Sequence, residues 1–220
     1  MNSRGVVYVA YGEQAREQVR LSAATMMRHN PGLPIRVIAD APVPRIGRAP
    51  SLRHIWFEDC DIGARWAKLH VDQLSPFDLT LYIDADTRIM ADIQEPFKYL
   101  ERGWELCICP TLYQGEEAHG HVNQEERDKT FQEVGTHIQV LQAGVFYFRK
   151  TESITQLFQA WRGEWTRWKD QDQAALVRAL VHNPVKLLTL DRQYNDAQGR
   201  RVRHYCGFAR RKGLKHSRAI

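Results

Sequence analysis

Apolar residues along this chain fall into short runs separated by longer stretches in which they recur every three or four positions. Gly5 to Ala10 (Gly-Val-Val-Tyr-Val-Ala) reads as a strand. From Glu13 to His29, apolar Val19, Ala23, Met26 and Met27 recur at helical spacing, and Asn30-Pro31-Gly32 stops the helix. Ile35 to Ala39 is a second strand ending at Asp40. A linker containing Pro42, Pro44 and Pro50 leads to a short strand over His54 to Phe57. Asp61 is placed to cap a helix running to Leu74. Ser75-Pro76 then turns the chain into Leu79 to Ile83, a strand of buried type.

The second half is less regular. Glu105 to Cys109 and Val145 to Phe148 read as strands, Thr151 to Trp165 and Asp172 to Val181 as helices, and Lys186 to Leu190 as a last strand. Residues 111–137 form a long polar stretch with His119, His121 and His137, expected as a functional or mobile loop. The β-α-β-β-α-β order of the first half predicts an α/β fold, with a mostly parallel central sheet flanked by helices.

Composition narrows the class. The 220 residues are 43% hydrophobic and 26% charged, which suits one globular domain able to bury a core without staples. No apolar run approaches the roughly 20 residues that span a bilayer. The start, Met1 to Gly5, shows no secretory apolar region, so a cytoplasmic location is the expectation. Of four cysteines, none forms Cys-x-x-Cys, and Cys107 and Cys109 sit in an apolar run as buried thiols. The net charge of +5 is concentrated late: residues 200–218 hold Arg200, Arg201, Arg203, Arg210, Arg211, Lys212, Lys215 and Arg218 without one acidic residue. Such a cluster suits phosphate, nucleic acid or an anionic surface, or is a solvated tail.

The chemistry starts at Asp84-Ala85-Asp86, directly after an apolar strand. In an extended chain residues i and i+2 point to the same side. Two carboxylates so placed suit a hard cation such as Mg²⁺ or Mn²⁺, which commonly shares its shell with substrate phosphates. Ligands in open α/β sheets also bind beyond the carboxyl ends of strands.

With its neighbours, Leu81-Tyr82-Ile83-Asp84-Ala85-Asp86-Thr87 resembles the DxD segment of GT-A glycosyltransferases, and the chain is similar over nearly its whole length to the glycogenin-like retaining type. The resemblance implies a GT-A fold, Rossmann-like, with the DxD motif at a strand C-terminus. It also implies roles for four further segments. Ala10, Tyr11 and Gly12 follow the first strand and would lie against the nucleotide, Tyr11 stacking on the base and Gly12 allowing close backbone approach. Asp40 is placed to contact the nucleoside or to serve as a turn residue. Lys68 matches a lysine that faces the nucleotide sugar, assisted by Arg65. Gln142, Ala143 and Gly144 match a sugar-contacting Asn-Ala/Ser-Gly, with Gln in place of Asn. An Asp-Gln signature facing the transferred sugar fits either Asp170-Gln171 or Asp172-Gln173. The second is preferred, because the apolar helix starts there. Finally His204 and Gly207 match a His-x-x-Gly that supplies the third metal ligand, followed by Arg210 where the family carries lysine.

The implied activity is transfer of a sugar from a nucleotide-diphosphate sugar, UDP by family habit, to an acceptor hydroxyl with retention. Asp84, Asp86 and His204 would hold Mn²⁺ or Mg²⁺. Lys68 and Arg210 would balance the diphosphate, and Asp172 and Gln173 would hold the sugar. Residues 1–110 would be the nucleotide half, 111–199 the sugar and acceptor half and 200–220 a basic segment of one domain. Saccharide, peptide or lipid-linked acceptors are expected before DNA, which the basic segment would hold. A nucleotidyltransferase lacks its Gly-rich basic loop here. A non-catalytic nucleic-acid binder finds no aromatic interleaving in the tail.

Overall fold

The computed structural model describes residues 3–43, 52–56, 63–113, 115–120, 122–169 and 171–205, with backbone only at 52–56. A sheet of seven strands forms its centre. In chain order the first four are β1 (Arg4–Ala10), β2 (Ile35–Ala39), β3 (Leu52–Trp56) and β4 (Leu79–Ile83). They are followed by β5 (Thr87–Ile89), β6 (Leu106–Pro110), β7 (Leu141–Arg149), β8 (Leu187–Thr189) and β9 (Val202–His204). The large sheet has the order β3-β2-β1-β4-β7-β6-β8, and β5 with β9 forms a separate ribbon. Within the large sheet, among the described residues, β7 alone runs against its neighbours; the pairs β1–β2, β1–β4, β2–β3 and β6–β8 are parallel. The C-terminal ends of β1 and β4 and the N-terminal end of β7 therefore meet at one edge.

Alternation along the strands splits the core in two. Val6, Tyr8 and Ala10 with Leu79, Leu81, Ile83, Val145 and Tyr147 point to one face. Val7, Val9, Tyr82, Phe146 and Phe148 point to the other. Helix α1 (Glu13–His29) covers the first face through Val19, Ala23 and Met26, joined by α4 (Glu95–Glu101) through Phe97 and Leu100. The second face is covered by α2 (Gly63–Leu69), α3 (Val71–Leu74), α6 (Glu152–Trp168) and α7 (Asp172–His182). In α6 the buried residues Ile154, Leu157, Phe158, Trp161 and Trp165 recur at helical spacing, and Thr151 caps the first turn. Cys107 and Cys109 are buried on the first face, and burial pushes each thiol up to about 12.

The expected ends of α1, β2 and β4 agree with the structure, and four other expectations change. Residues 111–137 are not one loop. They contain a 3-10 turn (Gly115–His119) and α5 (Gln124–Val134), whose Asn123 side chain caps it at Glu126 N. That helix is too polar to show an apolar period. It is held instead by Arg178 of α7, fully buried, which bonds Glu126 at 2.9 Å, Glu164 at 2.8 Å and Thr130. The predicted strand at Val145 begins at Leu141. The predicted helix to Leu74 breaks at His70 into α2 and α3. Finally β5, α4 and β9 fall where no element was expected. Asp61, Phe57, Asp170, Gly207, Arg210 and most of the basic segment lie outside the described residues.

Candidate active site

Strand β4 is buried at all five positions and delivers Asp84 and Asp86 at the sheet edge. The two carboxylates do not converge on an extended strand, as their spacing suggests. The chain turns at Ala85-Asp86, and the Thr87 hydroxyl donates to the Asp84 carbonyl at 2.9 Å to close that turn. The Asp84 N–H donates to the Gly144 carbonyl at 2.8 Å, which ties the turn to β7.

The third member arrives from far along the chain. β9 pairs with β5 so that Thr87 faces His204, and the Tyr205 N–H donates to the Asp86 carbonyl at 3.1 Å. His204 Nε2 then lies 3.2 Å from Asp86 Oδ1 and 3.6 Å from Asp84 Oδ2. One ligand atom from each of Asp84, Asp86 and His204 falls within 4.8 Å of the others. Gly144 makes room for this: a Cβ there would meet the His204 ring and Asp84 Oδ2. Two carboxylate oxygens and one imidazole nitrogen are a donor set that fits Mn²⁺ or Mg²⁺.

Beside the acidic cluster lies a buried ion-pair network. Lys68 of α2 is 2.8 Å from Asp172 Oδ2 and 3.5 Å from Asp84 Oδ1, and its ammonium sits over the Tyr82 ring. Arg65, one helical turn earlier, pairs with the other Asp172 oxygen. The Lys68 and Asp172 side chains are 9% and 7% exposed, so water screens their pairing little. Burial opposes charge on Asp172, yet Lys68 and Arg65 outweigh it and hold its carboxyl below the usual range. Burial likewise opposes charge on Lys68, and Asp172 and Asp84 overcome it and raise that ammonium. Asp172 opens α7, where the helix N-terminus also favours an anion, and its carbonyl accepts from Trp161 Nε1 at 2.7 Å.

The remaining expected residues that are described lie near the same edge, while Gly207 and Arg210 fall outside the described residues. Ala10 ends β1, and half-buried Tyr11 packs on the second face. Gly12 precedes α1 with φ 83°, a conformation that favours glycine, and its N–H donates to Asp40 at 2.8 Å. Arg16 holds the other Asp40 oxygen at 2.5 Å. Burial opposes charge on Asp40, and the bonds from Gly12 and Arg16 together lower its carboxyl. Ala85 packs on the first face, Gln142 and Ala143 start β7, and Gln173 follows Asp172 in α7.

Sequence reasoning missed two neighbours of the cluster. The Tyr82 hydroxyl donates to Asp84 Oδ1 at 2.7 Å; burial, then Asp84, raises its phenol well above the ordinary range. Tyr82 is two residues before Asp84, so strand alternation could have found it. Asn195, 1% exposed, lies 2.7 Å from His204 Nδ1, and no local pattern marks it.

Comparison at the level of sequence finds no matching family model and no matching curated protein. Comparison of structures finds glycosyltransferases. The chain is similar to galactosyltransferase LgtC in complex with donor and acceptor sugar analogues, with a TM-score of 0.63 and 16% identity, covering 93% of this chain and 88% of that one. It is also similar to the glycosyltransferase GlyE of Streptococcus pneumoniae TIGR4, at 0.58 and 17%, and to the bifunctional WbbM, at 0.66 and 13%. The chain spans about half the length of those two, 47% of GlyE and 46% of WbbM. At these identities the likeness establishes the fold, which is the GT-A arrangement.

Proposed function

We propose that this chain is a glycosyltransferase that moves a sugar from a nucleotide-diphosphate sugar, with UDP the first candidate, to an acceptor hydroxyl. The observation that carries the reading is the meeting of Asp84, Asp86 and His204 at the carboxyl end of the central strand. Mn²⁺ or Mg²⁺ held by these three would act, when bound, as a Lewis acid that neutralises the departing diphosphate.

The chain's own residues do the rest. Residues 1–110 carry the nucleotide site, in which Gly12 and the Asp40–Arg16 pair shape the loop after β1 and Tyr11 offers a ring. Gln142, Ala143 and Gly144 line the sugar side. Lys68, already compensated by Asp172 and Asp84, supplies fixed positive charge near the diphosphate without the cost of burying it at the moment of reaction. Asp172 stays ionised, accepts from sugar hydroxyls together with Gln173 and stabilises positive charge at the anomeric carbon. The acceptor oxygen bonds to that carbon as the carbon's bond to the diphosphate breaks, and the acceptor's proton passes to the departing diphosphate oxygen, with retention. Gly207 and Arg210, outside the described residues, are assigned to the diphosphate by the sequence resemblance alone. LgtC was solved with an acceptor sugar analogue, which supports a saccharide acceptor here.

The test is an equilibrium titration of nucleotide diphosphates, UDP first, with and without Mn²⁺, on the wild type and Asp86→Ala. Mn²⁺-dependent binding of one nucleotide, lost in the variant, is the expected outcome. Absence of nucleotide binding under every metal condition overturns the reading.

A further inference from the structure

His204 presents two nitrogens, and only one of them faces the carboxylates. Nε2 points to Asp84 and Asp86, while Nδ1 points away to Asn195 Oδ1 at 2.7 Å. A neutral imidazole carries one N–H and one lone pair, and a metal takes the lone pair. If the proton sits on Nε2, the ring cannot ligate.

Asn195 decides between the two states through its own anchoring. Its Nδ2 donates to the Gln142 carbonyl at 3.0 Å, which leaves Oδ1 turned toward the ring. Flipping the amide would set Oδ1 against that carbonyl, two acceptors with no hydrogen between them. The amide therefore offers His204 only an acceptor, and Nδ1 must be the donor. Asn195 is itself fixed: it is 1% exposed, and its N–H donates to the Arg192 carbonyl at 2.9 Å, closing the 3-10 turn Arg192–Tyr194.

We propose that Asn195 is a positioning residue that fixes His204 in the Nδ1–H tautomer and so keeps Nε2 ready to bind a divalent cation between Asp84 and Asp86. The inference rests on the metal-dependent reading above and adds a residue to it. It also ties the cation site to the sugar side, because the carbonyl that orients Asn195 belongs to Gln142. A tautomer lock of this kind is how outer-shell groups usually tune a histidine ligand, and their loss costs about 10–100-fold in metal affinity.

The experiment compares wild type, Asn195→Asp and Asn195→Leu. Long-range ¹H–¹⁵N spectra of the metal-free proteins at alkaline pH read which His204 nitrogen carries the proton, with His204→Gln assigning the signal. Titration with Mn²⁺ alone, followed by the EPR signal of the free ion, reads affinity. The proton is expected on Nδ1 in wild type and in Asn195→Asp, which keeps an acceptor toward the ring although its second oxygen loses the bond to the Gln142 carbonyl. It is expected on Nε2, facing Asp86, in Asn195→Leu, with Mn²⁺ binding weakened about 10–100-fold. A wild-type proton on Nε2 overturns the inference, as does a folded leucine variant with wild-type tautomer and affinity. Should the leucine variant fail to fold, wild type and Asn195→Asp still decide it. A wild type with the expected tautomer that binds no Mn²⁺ overturns the metal half, and with it the reading on which that half rests.

Discussion

Gly144→Ala adds a single methyl group at the most crowded point of the candidate site. The new Cβ would lie 2.7 Å from His204 Nδ1 and 2.9 Å from Asp84 Oδ2, and closer still to His204 Cε1. Ordinary non-bonded contact starts near about 3.5 Å, so the ring, whose Cε1 is its nearest atom, must withdraw by more than about 0.8 Å and the carboxylate by roughly 0.6 Å. Neither has an easy route. The ring is buried and held by Asn195 at 2.7 Å, and a shift of that size takes the bond beyond the usual limit of about 3.2 Å. The strand cannot yield either, because the Gly144 carbonyl accepts from Asp84 N and Val145 pairs with Ile83. Overpacking of this kind costs about 1–3 kcal/mol. For a chain of this size about 2–4 °C of Tm goes with each kcal/mol, so a fall of roughly 2–12 °C is expected by calorimetry. Mn²⁺ affinity should fall on the order of 10–100-fold as the histidine loses its bond. Gly163→Ala is the control. Its Cβ would enter open space on α6, where alanine gains about 1 kcal/mol over glycine. A Gly144→Ala protein that melts and binds Mn²⁺ like wild type refutes this account of the site.

Asp172→Ala removes the main partner of a buried ammonium, leaving Lys68 with Asp84 at 3.5 Å, and should cost about 3–5 kcal/mol in chemical denaturation; a loss under about 1 kcal/mol, the range of surface pairs, contradicts the burial argument. The same pair shapes the pH profile. The Asp172 carboxyl is lowered in the folded state, so its stabilisation is present above the unfolded carboxylate range and is lost as pH falls through the lower folded value. The Lys68 ammonium is raised, so its stabilisation is complete below the unfolded lysine range and is lost as pH rises through the higher folded value. Denaturation across pH should show both losses, and Asp172→Asn should flatten the acid limb; an unchanged acid limb counts against the pair. Arg178→Met strips the cation that Glu126 and Glu164 share inside the α5–α7 contact and should cost about 3–5 kcal/mol, with α5 amides exchanging first. Wild-type exchange rates in α5 would show that Arg178 does not hold that helix.

The sequence was most legible where one period ran unbroken. β1, β2 and β4 are apolar at nearly every position because both faces are covered, and α1 repeats its apolar residues against one of them. Asp84, Asp86 and His204 were legible by likeness to a motif, and folding brings them together. What stayed hidden depends on contacts between distant segments. α5 has no apolar stripe because a buried arginine from α7 holds it. β5 and β9 are three residues each and exist by pairing with one another. Asn195 is one amide among many until the chain places it beside His204, nine residues later. The two aspartates meet through a turn that their spacing alone did not disclose.

The most direct measurement is anomalous diffraction at the manganese edge from crystals grown with Mn²⁺ and UDP. One manganese peak is expected, bonded to the carboxylates of Asp84 and Asp86 and to His204 Nε2, with a diphosphate oxygen of UDP in its shell. A peak bound to other residues, or UDP bound with no metal between it and Asp84, Asp86 and His204, would contradict the claim that these three side chains form the donor's metal site.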